Sequence, residues 1–222
     1  MRKQSATSPT LCILTGRYTL NTMPRYGDKT REKIVAAATR LFYGEGIRAA
    51  SLDAVAGKAG VTKKTLYYHF ASKDELVAAT IEARDQPTLD LYRRWFAETE
   101  GTAADKVRGL FAQLGKSMDT PRWRGCGFLR TIAELASTPG HPAVKAGAAH
   151  KKRFEAWLET ELRDQGLPGA AALARRIVIL LDGATTIMLI HRELDYVNAA
   201  GRLAQSLVEE ARQGRLHFPS AT

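Results

Sequence analysis

The strongest constraint on this chain is a set of short amphipathic segments between residues 30 and 78, punctuated by glycines and by hydroxyl-bearing cap residues. From Thr30 to Tyr43 the apolar residues Ile34, Val35, Ala38, Leu41 and Phe42 recur every three or four positions, which is one face of a helix. Asp28 or Thr30 can cap its start, and Gly44 and Gly46 stop it. Ser51 is the next cap candidate, followed by the stripe Leu52, Val55, Ala56 and Ala59. Gly60 breaks that stripe, Val61 sits in a tight connection, and Thr62 can open a third helix with Leu66 and Phe70 facing inward. Ser72, followed by Lys73, Asp74 and Glu75, reads as the start of a fourth, with two acids in its first turn.

The remainder predicts further helices, over about 74–97 (bent near Pro87), 103–118, 128–137, 142–165, 170–191 and 199–213. Breaks are expected at Gly101, Pro121, Gly125, Gly127, Pro139-Gly140, Gly166 to Gly169 and around Asp195. No segment alternates with period two, and no Asn-Gly or Asp-Gly pair sits between β-branched runs, so the fold class is all-α. There is no internal repeat. With 222 residues, 45% hydrophobic and 25% charged, the chain can build a real core, and disordered, collagen-like and disulfide-stapled classes are excluded. No run approaches the roughly 18 apolar residues of a membrane span. The expected organisation is a flexible basic tail over 1–26, a helix-turn-helix domain over 27–73 and a ligand-binding and dimerisation domain over 74–222. The apolar stretch Leu11 to Leu14 is too short for a signal peptide, and Met23 is a candidate natural start. Cys12 and Cys126 make no disulfide framework, which fits a reducing, cytoplasmic setting.

The net charge is +10, and it is uneven. Residues 1–80 carry 13 Lys and Arg against 6 Asp and Glu, whereas residues 81–222 carry 20 against 17. An anionic partner is therefore expected at the N-terminal end. Two short helices joined by a glycine turn and braced by a longer one form the helix-turn-helix pattern, in which the last helix enters the major groove of DNA. Its outward residues are Lys63, Lys64, Thr65, Tyr67, Tyr68 and His69. Its N-terminus offers backbone N–H groups to a phosphate, as does Ser51 at the preceding helix, and Lys73 can reach a flanking phosphate. Two lysines and two tyrosines on a short helix are often only a solvated face. The glycine turn, the bracing helix and the local charge favour DNA binding. His69 fits a core or capping place as well as a phosphate contact.

The stretch from Thr30 to Phe42, then Gly44-Glu-Gly-Ile, then Ser51 to Phe70 and Ser72-Lys-Asp-Glu-Leu, resembles the DNA-binding domain of TetR-family transcriptional regulators. The resemblance covers about residues 28–78. It implies an all-helical homodimer with its two N-terminal domains in successive major grooves and a divergent C-terminal domain that binds a small molecule. By position it carries a DNA-contacting role to Thr62, Lys63, Lys64, Thr65, Tyr67, Tyr68, His69 and Lys73. Gly57 departs from the pattern, where a better helix former is usual, at a cost of about 1 kcal/mol relative to Ala.

The C-terminal body is less explicit. Residues 170–191 are apolar on most sides, and Gly183 and Ala184 would let helices approach closely. A second stripe contains Leu203, Ala204, Leu207, Val208 and Ala211. In the family the last two long helices pair across the dimer, which implies Leu181, Ala184, Leu203, Leu207 and Val208 as interface residues. These could equally be core of one subunit. Trp95, Phe111, Leu114, Trp123, Phe128, Trp157 and Met188 are candidates to line an effector pocket, with Phe96 and Met118 also available, against the plainer reading of core packing. His141, His150 and His191 are possible polar handles, although none has zinc-like spacing, and no metal or cofactor is expected beyond an unknown small-molecule effector. Cys126 has no nearby cysteine to resolve an oxidised thiol. The expected function is a ligand-responsive regulator, a repressor released from a palindromic operator by an inducer. The alternatives are a sequence-indifferent basic DNA-binding protein, which would scatter its charge, and an all-helical enzyme. Against an enzyme, no nucleophile elbow, phosphate-binding loop or His-Glu-x-x-His is present.

Overall fold

A computed structural model describes residues 26–138 and 140–217. The tail with Cys12 and Met23, and Pro139 of the expected Pro139-Gly140 break, lie outside the described residues. Those residues form nine helices and no strand: α1 Tyr26–Glu45, α2 Leu52–Ala59, α3 Lys63–His69, α4 Lys73–Glu98, α5 Ala103–Met118, α6 Gly127–Glu134, α7 Pro142–Asp164, α8 Ala170–His191 and α9 Leu194–Arg212. The fold is all-α.

The short helices start where the hydroxyl residues stand. The Oγ of Ser51 accepts from the Ala54 N–H, the Oγ1 of Thr62 from the Thr65 N–H, and the Oγ of Ser72 from the Glu75 N–H. Each bond satisfies one N–H that the helix itself leaves open. α2 ends at Gly60, at φ 67°, where the Gly60 N–H bonds to the Gly57 carbonyl and the Val61 N–H to the Ala56 carbonyl. This Schellman closure needs a left-handed residue, which glycine supplies without a Cβ clash.

α4 spans the expected stretch, from Lys73 to Glu98 with Pro87 inside it. Three boundaries differ from the sequence reading. α1 begins at Tyr26, ahead of Thr30, so Thr30 is interior and Asp28 lies in the first turn. α6 ends at Glu134, earlier than expected, with Leu135 as its cap. α9 begins at Leu194, because the break before it is made by Arg192 at φ 62° and not near Asp195.

Two hydrophobic clusters organise the chain. One joins α1, α2 and α3 to the first half of α4, through Ile34, Ala38, Val55, Leu66, Phe70 and Leu76, and takes in Phe128 and Ala143. The other joins the second half of α4 to α5, α7, α8 and α9, through Leu89, Leu110, Phe154, Leu158, Ile177 and Val197. α4 is thus shared, so the boundary expected at 73/74 falls at the start of the helix that belongs to both clusters.

Candidate nucleic-acid interface

α2 and α3 pack on α1 with Leu66 and Phe70 fully buried, which fixes the opposite face of α3 outward. Tyr68 is 85% exposed and Tyr67 47%, unusual values for large aromatic side chains and the opposite of core packing. Lys64 is exposed, and among the described residues no acceptor holds it. Lys63 reaches back across the turn to Asp53 at 2.9 Å, and that hydrogen bond and the carboxylate charge hold its ammonium pKa above the ordinary value. The Thr62 and Thr65 hydroxyls are 2.8 Å apart. His69 is half-buried, edge-on to Tyr68 with ring centroids 5.2 Å apart. Ser51 is exposed at the α2 start, and Lys73 is half-buried with its Nζ 3.5 Å from the Arg48 carbonyl. The sequence-predicted residues therefore share one end of the domain, with Tyr67, Tyr68 and Lys64 the most available and Lys63 and Lys73 already engaged.

Behind this unit, the segment before α6 meets α1. The Tyr43 hydroxyl donates to the Gly125 carbonyl at 3.1 Å and accepts from the Arg124 N–H at 2.8 Å. Arg130 donates to the Tyr43 carbonyl at 2.8 Å. The Glu134 carboxylate, at the end of α6, accepts from the Ile47 and Arg48 N–H groups at 3.1 and 2.8 Å. No sequence signal pointed to Tyr43 or Glu134, whose partners lie more than 80 residues away along the chain.

A cavity of about 200 Å³ lies between α4, α5, α6, α7 and α8. Trp95, Leu114, Trp123 and Phe128 of the expected lining face it, as does Met118. Phe111 and Trp157 do not. They are buried in the second cluster, where Phe111 lies against Gly201 and Trp157 packs edge-on to Phe96. Met188 lies instead beside a separate hollow near Pro121 and Arg192. The polar groups on the cavity wall, Arg84, Tyr92, Lys151 and Asp182, were not anticipated, because nothing in a linear pattern marks which polar positions of a helix turn inward.

His150 lines the cavity, stacked on Phe128 at 3.6 Å, with Nδ1 2.7 Å from Asp85. Burial lowers its pKa and outweighs the raising effect of Asp85. Burial acts to raise the Asp85 pKa, but hydrogen bonds from His150 and Arg153 win and hold it below the usual carboxylate range. His141 instead caps α7, accepting from the Ala143 N–H, with its Nε2 3.3 Å from Asp74. His191 is exposed at the end of α8, stacked on Tyr196. Cys126 is half-buried on the cavity wall. Among the described residues no three His, Cys, Asp or Glu side chains converge on a metal site, and no helix is long and apolar enough to cross a membrane.

The expected dimer residues separate into two groups. Leu181, Ala184 and Val208 are buried against the subunit's own core and are unavailable to a partner, because α8 turns that side toward its neighbours within the chain. Leu203 is 51% exposed and Leu207 is half-buried. The outward apolar side of α8 carries Ile179 and Ile190, 65% and 63% exposed, with Gly183 between them.

A capped two-helix unit with an outward-facing second helix, braced by α1 and joined to a helical body, defines a helix-turn-helix transcriptional regulator. Residues 34–80 match the family described as bacterial regulatory proteins, tetR family. The transcriptional activator FasR of Mycolicibacterium smegmatis is 42% identical over 202 residues, covering 90% of this chain and 88% of FasR. The chain belongs to the TetR family, whose members are regulators and not enzymes. SrpR of Pseudomonas putida is 40% identical over 77 residues, and the match spans only 36% of SrpR's length, as it spans 57% of TtgW from the same species. A TetR-family regulator from Streptomyces coelicolor superposes with a TM-score of 0.68 at 28% identity, over 82% of this chain and 96% of that one.

Proposed function

We propose that this protein is a cytoplasmic, homodimeric repressor that binds a palindromic operator and is released by a small-molecule inducer. The observation that carries the reading is the outer face of α3. Tyr68, Tyr67 and Lys64 stand clear of the protein on a helix anchored by Leu66 and Phe70, so amphipathic and cationic groups are delivered on a rigid support. The N-caps Ser51 and Thr62 open two helix starts, whose backbone N–H groups and partial positive charge suit phosphate. Engagement of Lys63 with DNA would exchange Asp53 for a phosphate, an inexpensive trade because the pair is solvent-exposed.

Half-sites about 34–36 Å apart require two such helices. The partner would meet Ile179, Gly183 and Ile190 of α8 and Leu203 and Leu207 of α9, an isologous surface in which small Gly183 lets the helices come close. The inducer would occupy the cavity between α4 and α8. Filling it displaces α4, which starts at Ser72 beside the recognition helix. It also moves the segment before α6, which grips Tyr43, and α6 itself, whose Glu134 holds the α1–α2 turn. The separation of the two α3 helices then changes, to the extent that the ligand prefers one arrangement.

Activation is the second reading, favoured by the relative FasR, which is named an activator. Selection of bound genomic fragments, followed by fluorescence anisotropy on the selected operator, tests the proposal. Tyr68→Ala should cost about 1–3 kcal/mol on the operator and much less on random DNA, and Lys64→Ala should lower the salt slope by about one. Equal affinity of the native protein for operator and random DNA would refute it. Transcription from that operator in the presence of the protein then separates repression from activation.

A further inference from the structure

The cavity has a charge that nothing among the described residues neutralises. Arg84, in the middle of α4, turns its guanidinium toward the start of α6, where a Cβ built on Gly127 would stand 2.3 Å from its Nη1. The guanidinium lies over the Tyr43 and Phe128 rings, 5.5 and 5.8 Å from their centroids, and among the described residues no carboxylate or carbonyl accepts from it. The acids nearby are already engaged. Asp182 is held by Lys151 at 2.5 Å, and Asp85 by His150 and Arg153. His150 is neutral near pH 7 because burial lowers its pKa. The cavity walls therefore carry one uncompensated positive charge.

The Tyr92 hydroxyl is in the same position. It lines the cavity and has no hydrogen-bond partner among the described residues, while burial raises its pKa so that it remains a donor. No buried polar side-chain atom in the described structure lacks a partner, so the donors of Arg84 and Tyr92, both on the cavity wall, are not sealed in protein. Cys126, the N-cap of α6, supplies no side-chain acceptor to that helix start, which also lies on the wall. Flat and apolar wall is supplied by Trp95, Trp123, Leu114 and Leu181, with the hydroxyls of Thr88, Ser117 and Thr185 among them.

We propose that the effector is a small organic carboxylate with a flat apolar body, its carboxylate paired with the Arg84 guanidinium and the Tyr92 hydroxyl and its body packed between Trp95 and Trp123. This deepens the reading of the cavity as the effector site and rests on it. A single carboxylate matches the single excess charge, and a guanidinium holds it in two parallel hydrogen bonds. A body of one or two rings fits the volume of about 200 Å³. Arg84 also contacts Tyr43, the α1 residue joined to Arg124 and Gly125, so the group that reads the anion touches the DNA-binding unit directly.

Calorimetric titration of the full chain with 1-naphthoate and with its neutral isostere 1-naphthamide tests the proposal. The carboxylate is expected to bind at least about tenfold more tightly than the amide. Arg84→Met should abolish that preference, weakening the carboxylate far more than the amide. Tyr92→Phe, which removes one oxygen and keeps the ring, should weaken the carboxylate about three- to tenfold and the amide less, and it carries the test if Arg84→Met fails to fold. Equal affinity of the two probes, or a preference undiminished in the variants, overturns the anion proposal and leaves the effector site standing. Binding of neither probe overturns the proposal and the effector-site reading together. Operator affinity, measured by anisotropy on the same preparation, reports separately whether the DNA-binding reading holds.

Discussion

Removing the Glu134 carboxylate should loosen the turn between α1 and α2. Its two oxygens accept the Ile47 and Arg48 N–H groups, and Ile47 is only 6% exposed, so water cannot easily replace the first bond. A charge-assisted bond at such a place contributes about 1.5–3 kcal/mol, whereas the Arg48 bond is exposed and its loss is largely made good by water. Glu134→Ala should therefore cost about 2 kcal/mol. At roughly 2–4 °C per kcal/mol for a chain of this size, the melting temperature should fall by about 4–8 °C. Glu134→Gln keeps one acceptor but turns its amide donors toward the other N–H, so it should lose about half as much. Amide exchange resolved by residue is the sharper assay, because Ile47 should lose protection by about thirtyfold while α8 and α9 are unaffected. If Glu134→Ala melts within 1 °C of the native protein and Ile47 exchanges as before, the clamp contributes nothing and the link from α6 to the DNA-binding unit must be sought elsewhere.

Gly57 is exposed inside α2 with open space where a Cβ would sit, so Gly57→Ala should stabilise the chain by about 0.5–1 kcal/mol, read as an upward shift in thermal unfolding. Ile179→Asp places a charge on the outward side of α8, where it should yield monomers by light scattering and abolish tight operator binding without lowering the subunit's own stability by more than about 0.5 kcal/mol. Acid should destabilise the protein in two steps. His150 has a folded pKa below its unfolded value, so the unfolded chain takes up the proton first and stability declines as pH falls below about 6.5. Asp85 is also depressed, so the stability it adds above its unfolded pKa is lost as pH falls further, through its folded value. Melting curves from pH 7.5 to about 2 check both signs, and an Asp85→Asn variant should flatten the lower step.

Local physics explains which parts of this fold could be read from sequence. Ser51, Thr62 and Ser72 cap helices because a hydroxyl can reach an N–H two or three residues ahead, and that requirement is written within four residues. Leu66 and Phe70 mark the inner face of α3, so its outer face could be named before the structure. α8 resisted the same treatment. It is apolar all round, and periodicity alone cannot tell Leu181, which packs within the subunit, from Ile179, which faces out. Trp157 and Phe111 are as bulky and apolar as Trp95 and Trp123, yet the first pair fill space and the second border it. That difference depends on how five helices meet. Arg84 was hidden for a related reason: its role comes from the acids around it being taken by Lys151, His150 and Arg153, and their pairing is a tertiary fact.

The strip of chain from Trp123 to Gly127 serves two masters. One side forms the floor of the chamber, and the other provides the two main-chain groups that fasten the ring of Tyr43. Under the proposed function, selectivity for an inducer and resting grip on the operator are inscribed in the same few atoms. On that proposal, varying the floor to admit a foreign compound should shift basal output as well as chemical preference, and libraries should be sorted on both at once.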